Sequence, residues 1–426
     1  MSRAPHRLVR PVSLAATALL LALSVLLGGT ATAAPAATAS TGWVFNQPDG
    51  TVAEQQAIRL RILDLIAGTA PGSAIKVTVY QFWDAEVARA LAAAHTERQV
   101  DVQVVLDEGS VSSRPESTTY SILAAALGTD RKQPSFVGMC PKNKSCLGDP
   151  ALGDSINHNK FWLFSDTAGL EDVVVQSSSN FSTGSWTKMY NDAYVIAEPG
   201  LHASYSAYFA KLAGMDWDSW AYSTQPTSGP YKPYFFPRAG TTASTDTVVG
   251  ILDNISGCSY TDADGVRRTT EIRLGMFLFT RTAVATKLAE LRDQGCGVSI
   301  VYSSMGTTAW KTVHYSGGPA IRCENHEDDS DPTNSRRLIH SKFLLIDGNY
   351  LNKPDKLVWT GSHNYSNPAL RQNDEALLKI DDDAAHDAYA ARFAAVFGAA
   401  RPGTADATAE CKGSVATREQ GTLTTR

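Results

Sequence analysis

"INHNKFWLFSD" (156–166) and "LIHSKFLLIDG" (338–348) each set a histidine and a lysine one residue apart at the head of an apolar run: His158 with Lys160, and His340 with Lys342. In extended backbone, residues i and i+2 share a face, so each imidazole would stand beside its ammonium group, about 6–7 Å along the strand. The surroundings repeat as well. "QSSSNFS" supplies Ser178 and Asn180, the latter 22 residues after His158; "GSHNYS" supplies Ser362 and Asn364, the latter 24 residues after His340. Asp192 in "YNDA" follows His158 by 34 residues, and Asp374 in "QNDE" follows His340 by 34, with Glu375 a rival beside it. One His-x-Lys is weak, because most histidines are satisfied core or surface groups. Two copies with matched companions form a constellation. Imidazoles transfer protons or attack an electrophile, while ammonium and amide groups stabilise oxygens that gain negative charge. These types together suit cleavage of a phosphodiester.

Some element must bring the two copies together, and the chain contains an internal repeat that can. "VFNQPDGT" (44–51) and "YFFPRAGT" (234–241) both run from an aromatic through proline to Gly-Thr. Helical periodicity follows at 53–68 and 246–257, strand-like runs at 74–83 and 271–280, helices at 84–98 and 282–295, and strands at 100–109 and 297–304. Strand, helix, strand at this spacing predicts β-α-β units, and hence two α/β lobes, each a largely parallel sheet flanked by helices. The reading is a first lobe over 43–214, an inter-lobe segment over 215–233, a second lobe over 234–400 and a polar tail over 401–426. Aromatics, proline and glycine in the joining segment favour packing across the lobes over a loose linker.

The first 33 residues stand apart. Three arginines without an acid, an apolar run and "ATAAP" make the tripartite pattern of a secretory signal cleaved near Ala33 or Ala34. A secreted, extracellular protein is expected. Losing those arginines takes the formal charge from −5 to −8, a balance that argues against non-specific nucleic-acid binding. All six cysteines lie beyond the leader, and an even count in an exported chain favours three disulfides over a metal cluster, with Cys140 and Cys146 closing one small loop. "ENHEDDSD" (324–331) reads first as a solvated acidic loop and, more sharply, as a calcium loop.

"HSKFLLID" matches H-x-K-x-x-x-x-D and "GSHN" matches G-S-x-N, and through them the chain resembles the phospholipase D superfamily over both lobes, secreted bacterial phospholipase D in particular. The resemblance implies a two-lobed, pseudo-symmetric α/β/α sandwich with both motifs meeting in one active site between the lobes. The first motif departs from the pattern: Ser165 holds the aspartate position, Asp166 comes one residue late, and "SSSN" replaces G-S-x-N. Tyrosyl-DNA phosphodiesterases of the superfamily also lack that aspartate. Its counterpart Asp347 lies at the far end of the strand from His340, so its role reads as structural support. By analogy with bacterial members, His158 is the nucleophile that forms a phosphohistidine, and His340 the acid that protonates the leaving alcohol. Lys160, Lys342, Asn180 and Asn364 would hold phosphate oxygens, supported by Ser178 and Ser362. Asp192 and Asp374, or Glu375, would orient the imidazoles. Neither a metal nor another cofactor is required.

The implied reaction cleaves the distal phosphodiester bond of glycerophospholipids, with transfer to alcohols as a companion; a secreted nuclease acting on nucleic-acid phosphodiesters is the alternative. The implied partner is a phospholipid membrane or micelle surface, met by a monomer with no obligate protein partner. Aromatics of "PYKPYFF" (230–236) could touch lipid, although core packing is the plainer role.

Overall fold

The computed structural model describes residues 40–325 and 337–402. The leader, residues 326–331 of the acidic stretch, Cys411 and the tail beyond 402 lie outside them. Branched residues at alternate positions, as in Ile75, Val77 and Val79, make strands that bury at least one face completely. Seven of them form the first sheet: β1 (Gly42–Phe45), β2 (Ala74–Val79), β3 (Asp101–Leu106), β4 (Phe136–Met139), β5 (Lys160–Thr167), β6 (Leu170–Ser177) and β7 (Asp192–Ala197). Their order is β1-β7-β6-β5-β2-β3-β4. The second sheet uses β8 (Tyr231–Phe236), β9 (Glu271–Phe279), β10 (Gly297–Met305), β11 (Ala320–Cys323), β12 (Lys342–Tyr350), β13 (Lys353–Gly361) and β14 (Glu375–Asp381). Its order is β8-β14-β13-β12-β9-β10-β11, the same path repeated, with Arg401–Pro402 added beyond β11. The internal repeat is therefore a repeat of topology.

Parallel pairing is confined to the β-α-β part of each sheet, β2-β3-β4 and β9-β10-β11. The strands that carry the His-x-Lys motifs pair antiparallel instead, because tight turns rather than helices join them to the next strand. Those turns sit at Ala168–Gly169 and Leu351–Asn352, all four residues at positive φ, as two-residue hairpins require.

Among the described residues three large apolar cores form, beside a small cluster of Phe277, Leu278 and Leu338. The central one is shared, joining Phe161, Tyr205 and Tyr208 of the first lobe to Phe343, Tyr389 and Phe393 of the second. The helices Pro199–Gly214 and Asp383–Ala399 supply Tyr205, Tyr208, Tyr389 and Phe393, so they fill the space between the sheets. The outer cores pack the helices Ala57–Ala67 and Ala85–Arg98 on the first sheet, and Thr247–Asp253 and Thr282–Asp293 on the second. Phe235 and Phe236 of β8 are buried in these cores, so the end of "PYKPYFF" packs inside the protein.

Some local expectations change. The helical run at 53–68 is broken at Gln56 into Val52–Gln55 and Ala57–Ala67, the first part opened by a Thr51–Glu54 capping box. The run at 246–257 ends at Asp253, and Ile255–Gly257 turns into a strand against the end of β12. In the joining segment Trp220 packs on Tyr208 at 5.6 Å and donates to the Pro237 carbonyl at 2.9 Å. Disulfides link Cys140 to Cys146 and Cys258 to Cys296, and Cys323 is also disulfide-bonded. Among the described residues, no helix is long and apolar enough to cross a membrane.

Candidate active site

Both His-x-Lys motifs sit at the seam between the lobes, and each histidine is held by the lobe it does not belong to. Regular pairing begins at the lysines: Lys160 faces Val79, and Lys342 faces Met276. His158 and His340 thus stand just before their strands rather than within them, a correction to the extended i, i+2 picture. His158 N–H donates to the Asp374 carbonyl at 2.9 Å, and His340 N–H to the Tyr190 carbonyl at 3.0 Å. These are equivalent cross-lobe bonds. Lys160 Nζ bends back to the His158 carbonyl at 2.7 Å, whereas Lys342 Nζ lies 3.2 Å from His340 Nε2. Each pair also leans on an aromatic at the same place in the repeat: Tyr80 lies 5.3 Å from the His158 ring, and Phe277 4.8 Å from the His340 ring. All four motif side chains are buried.

The groups that orient the imidazoles differ between the copies. His158 Nδ1 lies 2.9 Å from both oxygens of Glu375. Ser362 Oγ donates to the same carboxylate at 2.5 Å. His340 Nδ1 instead meets Asn191 Oδ1 at 2.7 Å. Asn191 Nδ2 donates to the Ser185 carbonyl at 2.9 Å, which fixes the amide with its oxygen toward the ring. His340 must then carry its proton on Nδ1 and present Nε2 to the site. The carboxylate does the same for His158.

Asp192 and Asp374, named from spacing, touch neither imidazole. Asp192 accepts from Thr360, from Tyr389 OH at 2.9 Å and from Ser178 Oγ at 2.9 Å, tying β7 to the second lobe. Asp374 accepts the N–H groups of Cys146 at 2.6 Å and Leu147 at 3.1 Å, so the small disulfide loop clamps it. Burial pushes the Asp374 carboxyl well above the usual carboxylate range, against those two bonds. Of the two rivals in the second lobe, Glu375 is the one that meets a histidine.

Asp107, unmarked in the sequence reading, closes the arrangement. Its carboxylate accepts from Asn157 N–H at 2.7 Å and from Gly109 N–H at 2.8 Å. Burial raises its pKa to about 7. Ile156, Asn157 and His158 are therefore each held by their own N–H, on the Asn373 side chain, Asp107 and the Asp374 carbonyl respectively. Asn180 donates weakly to Gln81 at 3.4 Å, and its buried Oδ1 has no partner among the described residues. Cys140, Cys146 and Asp374 are the one cluster of three potential metal-ligating groups among the described residues, and there the sulfurs are joined to each other.

The family profile described as "Cardiolipin synthase, PLD-like domain" matches residues 62–213 and 267–397, one segment in each lobe. The chain belongs to this phospholipase D-like family. Its fold is similar to phosphatidylserine synthase from Haemophilus influenzae Rd KW20, with a TM-score of 0.55 and 14% identity over 84% of this chain and 88% of that one. It is also similar to polyphosphate kinase from Porphyromonas gingivalis, with a TM-score of 0.54 and 14% identity over 83% of this chain. The chain spans about half of that kinase, 50% of its length. No curated protein matches in sequence.

For this phospholipase D-like chain, phosphodiester-related chemistry follows from the family, and the departures in its first motif find a physical place. Ser165 Oγ accepts the Ala74 N–H at 2.8 Å, so that position holds strand β2 rather than a reacting group. Asp347, its counterpart, accepts from Tyr260 OH at 2.8 Å and sits opposite Lys356 and Glu271, well along β12 from His340.

Proposed function

We propose that this protein is a secreted phospholipase D that cleaves the distal phosphodiester bond of glycerophospholipids through a phosphohistidine, releasing phosphatidic acid and an alcohol. The observation that carries the reading is the unequal pair of orienting groups, Glu375 on His158 and Asn191 on His340. Attack by His158 Nε2 forms an N–P bond and leaves a ring that is cationic while Nδ1 keeps its proton. Glu375 stabilises that cation. His340, held by a neutral amide, gives its Nε2 proton to the departing alkoxide as the P–O bond breaks. Lys160, Lys342, Asn180 and Asn364 supply positive charge and donors for the non-bridging oxygens. Water then attacks phosphorus, His340 takes its proton, and the N–P bond breaks. An alcohol in place of water gives transfer instead of hydrolysis, so a synthase and a hydrolase differ here only in the resolving nucleophile.

Lipid is favoured as substrate over nucleic acid by the acidic balance and the leader-like N-terminus. The test is turnover of phosphatidylcholine vesicles and of single- and double-stranded DNA, side by side, by the purified mature protein. Choline release without DNA cleavage is expected. DNA cleavage without choline release would keep the chemistry and replace the substrate class.

A further inference from the structure

Beside the seam lies a cleft of about 1340 Å³ that none of the site residues lines. Its walls come from both lobes and the joining segment: Leu152, Trp217, Trp220, Tyr222, Arg238 and Thr247 give its character. Trp217 is 40% exposed and Leu152 53%, so two large apolar side chains stand at its rim in contact with water. Inside, the Arg238 guanidinium lies over the Tyr222 ring, its Cζ 3.4 Å from the ring centroid. Its only side-chain hydrogen bond among the described residues goes to Thr247 Oγ1. A stacked guanidinium held by a single bond keeps most of its N–H fork for a ligand.

Charge around the cleft favours an anion there. Asp246 is already engaged by Arg281 Nη1 at 2.9 Å and by the N–H groups of Val248 and Val249. Arg281 is buried with Nε and Nη2 unpartnered among the described residues, so its charge is incompletely compensated. Asp149 is turned onto the Ala151 N–H, and Asp218 remains as an acid of the lining. The cleft also adjoins the catalytic machinery. Leu147 lines it while donating its N–H to Asp374, whose carbonyl holds His158. Phe236, one residue before Pro237 of the lining, stacks on His363 at 4.0 Å, between Ser362 and Asn364.

We propose that this cleft is a second lipid site, in which Arg238 takes the phosphate of an anionic phospholipid in a bilayer while Trp217, Trp220 and Leu152 meet its apolar part. The choice of ligand rests on the lipid reading of the active site. Occupancy docks the seam against the surface that presents its substrate. The phosphate on Arg238 belongs to a bound neighbour and is not cleaved.

The test measures binding apart from turnover, in an inactive His340→Asn background. Vesicles of phosphatidylcholine, with and without phosphatidylglycerol, are sedimented with the parent and with its Trp217→Ala and Arg238→Gln variants. Added phosphatidylglycerol should tighten binding of the parent, and Arg238→Gln should remove that gain, weakening binding to the mixed vesicles about five- to tenfold. Trp217→Ala should weaken binding to both vesicle types. With His340 restored, both variants should turn over a soluble short-chain phosphodiester at the parental rate. Vesicle binding unchanged in both variants overturns the proposal, as does a loss on the soluble substrate equal to that on vesicles. Should no phospholipid be turned over while the variants still lose vesicle binding, the lipid reading of the active site falls and the cleft stands.

Discussion

Glu375 of the second lobe reaches across the seam to His158 of the first, its two carboxylate oxygens each 2.9 Å from Nδ1. The reciprocal contact, Asn191 to His340, carries no charge. If the carboxylate stabilises a phosphorylated, cationic His158, Glu375→Gln should lower kcat at least tenfold with little change in KM, since its effect belongs to the reacting state. Asn191→Asp should instead raise the pH at which His340 loses its proton, moving the alkaline limb of the rate profile upward. Steady-state kinetics across pH read both effects. A Glu375→Gln enzyme with parental kcat would remove the charge from the mechanism.

If each lobe supplies half of one site, His158→Asn and His340→Asn should each lower turnover by more than about a hundredfold, at the low end for losing an acid–base group. Two independent sites would leave about half of the activity in each variant, and that result would sink the shared site.

The repeat, the lobes and the four motif residues were legible because a two-residue period and matched companions survive in a linear sequence. Of the orienting pair, Glu375 was legible only as a rival to Asp374, and Asn191 not at all, for a countable reason. Spacing measured from the histidines pairs Asp192 with Asp374, but the segment between histidine and asparagine is two residues longer in the second copy, 24 against 22. Measured from Asn180 and Asn364, the eleventh residue in each copy is Asn191 and Glu375. The sheets agree, since Ser177 faces Ala193 where Gly361 faces Leu377. Neighbouring residues of a strand face opposite sides, so a shift of one exchanges a histidine partner for a structural acid. Asp107 lay beyond sequence reasoning, because a carboxylate that caps backbone N–H groups has no spacing signature.

Asp107 should give stability a pH dependence. Its pKa is raised from 3.8 to about 7 in the fold by burial, so the folded state holds a proton that the unfolded chain releases. That contribution is fully present below the unfolded value and fades as pH rises toward about 7. Thermal melting from pH 4 to 8 should therefore show a shallower decline in Asp107→Asn than in the parent. Parallel curves would mean that Asp107 does not titrate there.

The Cys140–Cys146 bridge closes the loop whose N–H groups clamp Asp374. Replacing both cysteines with serine should cost about 2 kcal/mol of stability, as a loop this short implies. Turnover should fall as well, because the Asp374 carbonyl that holds His158 loses its anchor. The oxidised mature protein should expose no free thiol on denaturation. Two or more reactive thiols per chain would contradict the expected three bridges.

A phosphohistidine must accept nucleophiles other than water, and this separates the mechanism from its substrate. Phosphatidylcholine vesicles supplied with ethanol should yield phosphatidylethanol beside phosphatidic acid, with choline released at a rate that depends little on ethanol if formation of the N–P bond is slow. One-step attack by metal-activated water has no covalent intermediate to intercept and gives phosphatidic acid alone. Chelation should leave the rate unchanged, because Lys160 and Lys342 supply the positive charge. The rate should rise and fall with pH, reporting one neutral and one protonated histidine as a coupled pair. In His340→Asn the leaving alcohol lacks its acid, so a substrate with a nitrophenol leaving group, which needs no proton, should recover much of the lost rate; His158→Asn should not respond. Equal recovery in both variants would reverse or dissolve the assignment of His158 as nucleophile.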